Sequence, residues 1–217
     1  MQHKARVILN KGFCLCKINF ALQIATVGVQ NLFCEGAIED RKILMNEISY
    51  LQGDATFPQA KGNKIIAHIC NDLGRWGKGF VLAISKRWPE PEQAYKQWHK
   101  ARANNDFELG AVQLIPVTSD IWVANMIGQQ KIKAGPEGPP IRYEAVEQCL
   151  HQLYQKANVL NASIHMPRIG CGLAGGKWSK IEPMLNQILC ANQLPVFVYD
   201  FGLRFWVMRH KGDMIEY

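Results

Sequence analysis

The sequence predicts a three-layer α/β/α sandwich built on a central mixed sheet. Between residues 45 and 201, short apolar runs alternate with amphipathic stretches, which is the order that places helices on both faces of a sheet. Two neighbouring runs, 111–115 and 122–126, are separated by a short Thr-Ser-Asp turn and predict one hairpin within the sheet. We therefore expect one α/β domain over 45–201.

Individual elements follow from apolar spacing and from proline. The run 65–70 is almost entirely apolar, as in a strand that is covered on both faces. The stretch 142–159 has apolar residues three and four positions apart, which gives a helix one buried face. Pro89 ends one helix, and Pro91 suits the first turn of the next. The predicted strands are 48–51, 65–70, 111–115, 122–126, 163–166 and 196–200, and the predicted helices are 80–88, 91–102, 142–159 and 178–191.

The distribution of charge argues against a nucleic-acid partner. The chain is 48% hydrophobic and 20% charged, a composition typical of globular domains, and its formal net charge is +7. A basic chain suggests nucleic acid, but between 45 and 201 lysines and arginines only slightly outnumber acidic residues. Binding of nucleic acid through the basic flanks, with a steep dependence on salt, is therefore the less favoured interpretation.

The two flanks are assigned no fold. Residues 1–44 predict an N-terminal extension, in which basic residues before an apolar run resemble a signal peptide, although polar residues interrupt that run and no clean cleavage site follows. An alternative is that Met45, just ahead of the first strand, is the natural start. Residues 202–217 predict a C-terminal tail, for which an added strand, a docking segment and a disordered end all stay open.

The cysteines predict a reducing compartment. The chain has seven of them, scattered without a Cys-x-x-Cys pair or the spacing of a zinc site. Free thiols explain this pattern best, so we expect a cytoplasmic protein. No run is apolar enough to predict a membrane partner. We also predict no metal site and no cofactor.

Three loops that follow predicted strands carry residues suited to binding. The segment 53–56 places the Asp54 carboxylate, which is able to accept an amino proton from a base, beside free backbone amides; a simple turn is the alternative. The segments 68–80 and 166–178 are rich in glycine, so that backbone amides can approach a ligand closely. A helix follows each, and its positive end suits anions. Two such loops predict a two-ended ligand that carries phosphate.

Together these loops resemble the landmark motifs of the macrodomain family, the α/β/α module that binds ADP-ribose. The motifs are Gly-Asp-Ala-Thr at 53–56, the Asn-containing glycine loop at 70–80 and Pro-Arg-Ile-Gly-Cys-Gly-Leu at 167–173. The resemblance covers about 45–201, and the nearest branch includes ADP-ribose-1″-phosphate phosphatases, terminal ADP-ribose protein glycohydrolases and the chromatin-remodeller macrodomain. It implies that the partner is ADP-ribose or an ADP-ribosylated substrate.

The resemblance assigns each loop to one part of that ligand. Adenine would be held by Asp54 and the amide of Ala55, with Tyr199 closing that side. The diphosphate would be wrapped by the backbone amides of Gly170, Cys171, Gly172, Leu173 and Ala174. The distal ribose, where any reaction occurs, would be surrounded by Asn71, Asp72, Trp76, Gly77, Lys78, Gly79 and Phe80.

The chemistry implied is hydrolysis at the distal ribose. Glycohydrolase members of the family use a nucleophilic lysine on a central strand, but the hairpin strands of this sequence carry none. The aspartate that those members carry after the Gly-x-Gly-Leu loop is replaced here by Ala174 and Gly175. Asp72 is then the expected general base, and His68 the partner that positions or protonates, although an interior structural role for His68 stays open. The expected substrates are ADP-ribose-1″-phosphate, O-acyl-ADP-ribose or a protein-linked ADP-ribosyl ester, and the alternative is a non-catalytic ADP-ribose reader.

Overall fold

The structure is a computed structural model that describes residues 46–202 and, nearer the C-terminus, the backbone of residues 206–208 and 214–216. The predicted N-terminal extension, 1–44, lies outside the described residues and stays a prediction. The account of the fold and of the site below therefore concerns the region that was predicted to form the α/β domain.

Six strands form one mixed sheet in the spatial order β1-β6-β5-β2-β4-β3. They are β1 (Ser49–Gln52), β2 (Asn63–Asn71), β3 (Val112–Pro116), β4 (Ile121–Gln129), β5 (Ala162–Pro167) and β6 (Val196–Asp200). All neighbouring pairs are parallel except β3 and β4, which form an antiparallel hairpin. The mixed sheet with one hairpin, predicted from the order of apolar runs, is confirmed.

Four helices cover the two faces of this sheet. They are α1 (Phe80–Arg87), α2 (Glu90–Lys100), α3 (Tyr143–Leu160) and α4 (Trp178–Ile188). Side chains of β2 alternate between the faces: Ile65 packs in the core formed with α3 and α4, whereas Ile66 packs with Ile84 of α1. Ile65 and Ile66 are both fully buried, as a strand covered on both faces requires. The predicted three-layer architecture is confirmed.

Two boundaries differ from the prediction by three residues, and the others differ by at most two. β4 continues to Gln129 instead of ending at residue 126. It passes through Gly128, where a Cβ would lie 2.9 Å from Ile69 Cδ1 and 3.0 Å from Val146 Cγ2. This glycine therefore serves close packing between the sheet and α3. At its end, α4 stops at residue 188 instead of 191, because the chain tightens into a 3₁₀ turn over 190–192.

The C-terminal tail contains two short strands, β7 (Trp206–Met208) and β8 (Met214–Glu216), which pair with each other in antiparallel fashion. Over residues 46–202, no helix has the length and the apolar character that crossing a membrane requires. Within the same residues, no group of three or more His, Cys, Asp or Glu side chains is arranged to hold a metal ion.

Candidate functional site

A cavity of about 690 Å³ opens at the carboxyl ends of the neighbouring parallel strands β2 and β5. One wall is the loop that joins β2 to α1 (residues 72–79, the β2–α1 loop), and the opposite wall is the loop that joins β5 to α4 (residues 168–177, the β5–α4 loop). The segment 129–133, at the end of β4, adds a third side. Open α/β sheets bind ligands at this edge, and the volume is typical of small-molecule sites.

Asn71, the last residue of β2, folds the β2–α1 loop with its side chain. Its Oδ1 accepts hydrogen bonds from the N–H groups of Leu73 and Arg75, both at 3.0 Å, and its Nδ2 donates to the Arg75 carbonyl at 2.6 Å. The Tyr95 hydroxyl donates to the Asn71 carbonyl at 2.5 Å. Asn71 lines the cavity, but the loop occupies most of the hydrogen-bonding capacity of its amide.

Trp76 forms a fixed wall of the cavity. Its Nε1–H donates to Ser85 Oγ at 2.7 Å, and Ser85 Oγ donates to the Glu92 carboxylate at 2.7 Å. The indole lies edge-on to the His68 ring, with ring centroids 5.4 Å apart. Because indole has a single polar donor and Ser85 holds it, Trp76 offers a ligand an apolar surface and no hydrogen bond.

The β2–α1 loop leads into a helix N-terminus with unpaired amides. Gly79 is the N-cap residue of α1 at φ +79°, and no side chain caps the helix. The N–H groups of Gly77, Lys78 and Gly79 donate to no acceptor within residues 46–202. A Cβ on Gly77 would meet nothing within 4 Å, so open space lies beside these amides. A helix terminus of this kind favours an anion.

The β5–α4 loop presents a second run of free amides. It is closed at its base, where the Gly176 N–H donates to the Gly170 carbonyl at 2.8 Å. The N–H groups of Gly172, Leu173 and Ala174 have no acceptor in the part of the chain that the structure describes. A Cβ on Gly172 would meet nothing within 4 Å. Successive free amides of this kind form an anion-binding nest.

Positive charge surrounds the cavity. Among the described residues, no Asp or Glu lines it, whereas Arg75, Lys78, Lys133 and Arg168 do. The first three are exposed. Arg168 forms a bidentate pair with Asp200, at 2.6 and 2.8 Å, and these hydrogen bonds raise the pKa of the guanidinium and lower the pKa of the carboxyl. The balance of charge favours an anionic ligand.

His68 lies in the cavity wall with 2% of its surface exposed. Its Nε2 lies 2.7 Å from Asn125 Oδ1, and Asn125 Nδ2 donates to the Pro91 carbonyl at 3.1 Å. The amide oxygen is therefore an acceptor, and His68 Nε2 carries the hydrogen. Burial lowers the pKa of His68 to about 4, and the hydrogen bond to Asn125 offsets only part of this. The ring is therefore neutral at pH 7 and able to accept a proton, and the predicted role of His68 in positioning or protonating stays a prediction.

Asp72 does not line the cavity, and its predicted role as general base at the distal ribose stays a prediction. Its N–H donates to the Gln129 carbonyl at 2.9 Å, so the backbone stays paired with β4 for one residue beyond β2. Its Oδ1 accepts a hydrogen bond from the N–H of Lys131 at 2.7 Å. The carboxylate therefore ties the β2–α1 loop to the segment that follows β4.

The residues predicted to hold adenine lie outside the cavity wall. Asp54 Oδ1 accepts a hydrogen bond from the Thr56 N–H at 2.8 Å, and Ala55 is buried. Tyr199 is buried as well, with its hydroxyl 2.9 Å from His165 Nδ1. None of the three predicted residues lines the cavity. The predicted contacts of these residues with adenine stay a prediction, and the Tyr199 hydroxyl faces a buried histidine.

The cavity brings together residues from both glycine loops. Cys171 is not among them, and its N–H donates to the Arg168 carbonyl at 3.3 Å. The predicted residues in the wall are His68, Asn71, Trp76, Gly77, Lys78, Gly79, Phe80, Gly170, Gly172, Leu173 and Ala174. The wall residues that the prediction omitted are Ile69, Cys70, Arg75, Val81, Gln129, Ile132, Lys133, Pro167, Arg168 and Ile169. The segment 129–133 lies at the carboxyl end of a central strand, which is where ligands are expected to bind. The sequence prediction missed it because that strand was predicted to end at residue 126.

No family model matches the chain. Among solved structures, a macrodomain protein from Streptomyces coelicolor is 56% identical with a TM-score of 0.65, and the match covers 72% of this chain and 100% of that one. Among curated proteins, Chromodomain-helicase-DNA-binding protein 1-like from Danio rerio is 34% identical to this chain over 71% of its residues. The match covers only 16% of that protein's length. An ADP-ribose 1″-phosphate phosphatase from Meyerozyma guilliermondii is 24% identical, over 66% of this chain and 94% of that protein.

Proposed function

This chain belongs to the macrodomain family, and we propose that it binds ADP-ribose and hydrolyses an ADP-ribose derivative at the distal ribose. The derivative is ADP-ribose-1″-phosphate, an O-acyl-ADP-ribose or a protein-linked ADP-ribosyl ester. All three share adenosine, a diphosphate and a second ribose, and they differ only in the group that leaves. The first is the substrate for which the relative from M. guilliermondii is named.

The observation that carries this proposal is a pair of amide runs in one cavity, which we call the amide cradles (residues 77–79 and 172–174). The N–H groups of both cradles lack acceptors within residues 46–202, and glycine leaves open space at residues 77 and 172. A diphosphate has oxygens on two phosphorus atoms, so that each cradle can donate to one of them. Donors from the backbone also explain why the domain needs little net charge.

Adenine is proposed to lie beside the Asp54 loop (residues 53–59). One carboxylate oxygen, Oδ1, holds the Thr56 N–H, and Oδ2 accepts no hydrogen bond from the residues that the structure describes. We propose that Oδ2 accepts a hydrogen bond from the amino group of adenine. A base with a carbonyl at that position would leave the carboxylate facing another acceptor, and a polar mismatch of this kind gives selectivity.

His68 is the proposed general base. Asn125 holds the ring through Nε2, and the side-chain partner of Nδ1 is the weak donor Cys70 Sγ, at 3.8 Å. Water gives its proton to Nδ1 while its oxygen attacks phosphorus or the acyl carbon. The bond to the ribose oxygen breaks, and that oxygen takes the same proton from Nδ1, which restores the neutral ring. Amides of residues 77–79 that the diphosphate leaves free would stabilise the developing charge. A base of pKa about 4 accepts protons weakly, so we expect slow turnover.

A non-catalytic ADP-ribose reader is the second candidate. The observation that favours it is the absence of a carboxylate from the cavity wall within residues 46–202, which leaves hydrolysis dependent on a single histidine of low basicity. A reader would bind through the same amide cradles and release no product. Binding therefore supports both candidates, and turnover separates them.

Thermal melting with added ligand tests binding. A ligand at about 100 times its Kd adds roughly 2.7 kcal/mol to the free energy of unfolding, which for a domain of this size raises Tm by about 5–10 °C. We expect this shift with ADP-ribose and a smaller one with AMP, which lacks the diphosphate, and with NAD, whose nicotinamide blocks the distal ribose. Equal shifts with AMP and ADP-ribose would contradict the proposal.

Turnover of the three derivatives separates the enzyme from the reader. Wild-type protein and His68→Ala are compared for release of phosphate or of the free acid. Loss of a general base typically lowers the rate by about 10²–10⁴, and we expect His68→Ala to lose that much while still binding ADP-ribose. If micromolar wild-type protein hydrolyses none of the three derivatives, the hydrolase proposal is dropped in favour of the reader.

A further inference from the structure

Two adjacent residues of β6 fasten the Asp54 loop to the sheet. The Tyr199 hydroxyl accepts a hydrogen bond from the Gln59 N–H at 3.2 Å, at the far end of the loop. The Gly53 N–H, at the near end, donates to the Asp200 carbonyl at 3.0 Å. Burial anchors the middle of the loop, but these two hydrogen bonds anchor its ends. The loop that carries the proposed adenine contact is therefore tied to β6 on both sides.

Asp200 also ties β6 to the β5–α4 loop. Its carboxylate accepts hydrogen bonds from Arg168 Nε at 2.6 Å and from Arg168 Nη2 at 2.8 Å. The guanidinium carbon lies 5.1 Å from the ring centroids of both Tyr50 and Trp178, so cation–π contacts support it as well. Because a bidentate pair imposes one geometry, the first residue of the β5–α4 loop is fixed relative to β6.

A buried chain of hydrogen bonds orients the Tyr199 hydroxyl. Ser163 Oγ donates to the Asn63 carbonyl at 3.3 Å and lies 2.9 Å from His165 Nε2. The serine hydrogen is thus engaged, so His165 Nε2 is the donor and its Nδ1 accepts from Tyr199, at 2.9 Å. His165 is fully buried. The hydroxyl of Tyr199 therefore gives its hydrogen to His165 and keeps a lone pair for Gln59.

We propose that Tyr199 and Asp200 are positioning residues, which hold the Asp54 loop and the β5–α4 loop in one relative placement that fits a single ligand. This inference rests on the proposed function, because it requires a ligand that contacts both loops. Neither side chain lines the cavity, so each acts through another residue. Tyr199 holds Gln59 and thereby affects the preference for adenine over other bases. Asp200 holds Arg168 and thereby affects the affinity for the diphosphate.

Base selectivity tests the role of Tyr199. Calorimetry compares the affinity for ADP-ribose with that for inosine diphosphate ribose, which has a carbonyl where adenine has its amino group. We expect the wild-type protein to prefer ADP-ribose by at least about tenfold. Tyr199→Phe removes one oxygen and should reduce this preference to about threefold or less. The ratio of the two affinities is measured on folded protein, so a general loss of stability in the variant does not change it.

Two further variants distinguish the effect of Asp200 from that of Tyr199 and provide a control. Asp200→Asn keeps the backbone hydrogen bond to Gly53 and weakens the charged pair with Arg168, so it should lower both affinities by a similar factor and leave the ratio unchanged. Tyr154→Phe is the matched control, since the Tyr154 hydroxyl on α3 makes no hydrogen bond within the described residues. It should change neither the affinities nor their ratio.

The outcomes distinguish this inference from the proposed function. The inference is overturned if Tyr199→Phe prefers ADP-ribose over inosine diphosphate ribose as strongly as the wild-type protein does. It is also overturned if the wild-type protein binds both nucleotides equally. A ratio lost equally in the Tyr154→Phe control also overturns it. If folded wild-type protein binds no ADP-ribose at all, the proposed function itself is overturned.

Discussion

Leu173 of the β5–α4 loop lies against Gly79 of the β2–α1 loop, since a Cβ built on Gly79 would be 3.6 Å from Leu173 Cδ1. The leucine is otherwise 66% exposed, so this contact spans the mouth of the cavity. The contact brings together the two loops that carry the amide cradles, and residues of both cradles line the same cavity. A diphosphate in the cavity can therefore reach both, and the leucine can shift because the glycine presents no side chain.

Filling the cradle at Gly172 should abolish tight binding. Gly172 has a backbone that other residues can adopt and open space at its Cβ position, so Gly172→Val should fold normally and place a side chain where the diphosphate lies. We expect its Kd for ADP-ribose to rise at least about tenfold, equivalent to roughly 1.4 kcal/mol, when measured by calorimetry. Gly135→Val is the control, because Gly135 shares both features and does not line the cavity. Equal losses in the two variants would contradict this.

Asp72 should be dispensable for hydrolysis. Its carboxylate binds the Lys131 N–H at 2.7 Å and does not line the cavity, and an asparagine oxygen can accept the same hydrogen bond. We expect Asp72→Asn to keep the rate of hydrolysis within a factor of about two. A loss of about 10²-fold or more with unchanged affinity for ADP-ribose would restore Asp72 as the general base.

The rate of hydrolysis should fall only at strongly acidic pH. Burial lowers the pKa of His68 to about 4, so the neutral base is fully present above pH 5 and is lost as the pH falls through 4. The profile of kcat/KM, which reports the free enzyme, should therefore have its acidic midpoint near 4 and not near 6.5. Asn125→Asp places a negative charge beside Nε2 and should move that midpoint to higher pH. A midpoint that Asn125→Asp leaves unmoved would exclude His68 as the base.

Stability should decrease on mild acidification. Burial lowers the pKa of both His68 and His165 to about 4, from an ordinary value of 6.5. The unfolded chain then binds more protons between pH 6.5 and 4, so the contribution is complete above 6.5 and is lost as the pH falls toward 4. Each histidine should lower the free energy of unfolding by roughly 2 kcal/mol between pH 7 and pH 5, measured by urea denaturation.

His165→Gln provides the comparison for that measurement. Glutamine does not titrate, so the variant should lose about half as much stability as the wild-type protein between the same two pH values. The same loss in both proteins would show that His165 is not the group responsible. Melting at each pH also confirms that protein used for the rate profile is folded.

The sheet and the helices are predictable because they depend on local spacing. The apolar run 65–70 and the apolar face of 142–159 each specify an element by themselves, and both elements are present as β2 and α3. The extra length of β4 is different, because the need for glycine at residue 128 comes from Ile69 and Val146, which pack against it in the folded protein. Its strand end, and with it one side of the cavity, depends on tertiary contacts.

The orientation of individual site residues depends on partners that are distant along the chain. Asp72 and His68 are close in sequence and both suited to acid–base chemistry, but Lys131 holds the first away from the cavity, and Asn125 holds the second in its wall. The support of the Asp54 loop by Tyr199 spans 140 positions. Glycine content predicts that the loops bind an anion, but it carries no information on such pairings.

The central claim is that backbone amides from two facing loops hold the diphosphate of ADP-ribose, and a crystal structure of that complex tests it most directly. We predict that diphosphate oxygens lie about 2.7–3.2 Å from amide nitrogens of both cradles, with adenine beside Asp54. A complex in which the nucleotide binds elsewhere and leaves the amides of residues 77–79 and 172–174 without a ligand would contradict the account.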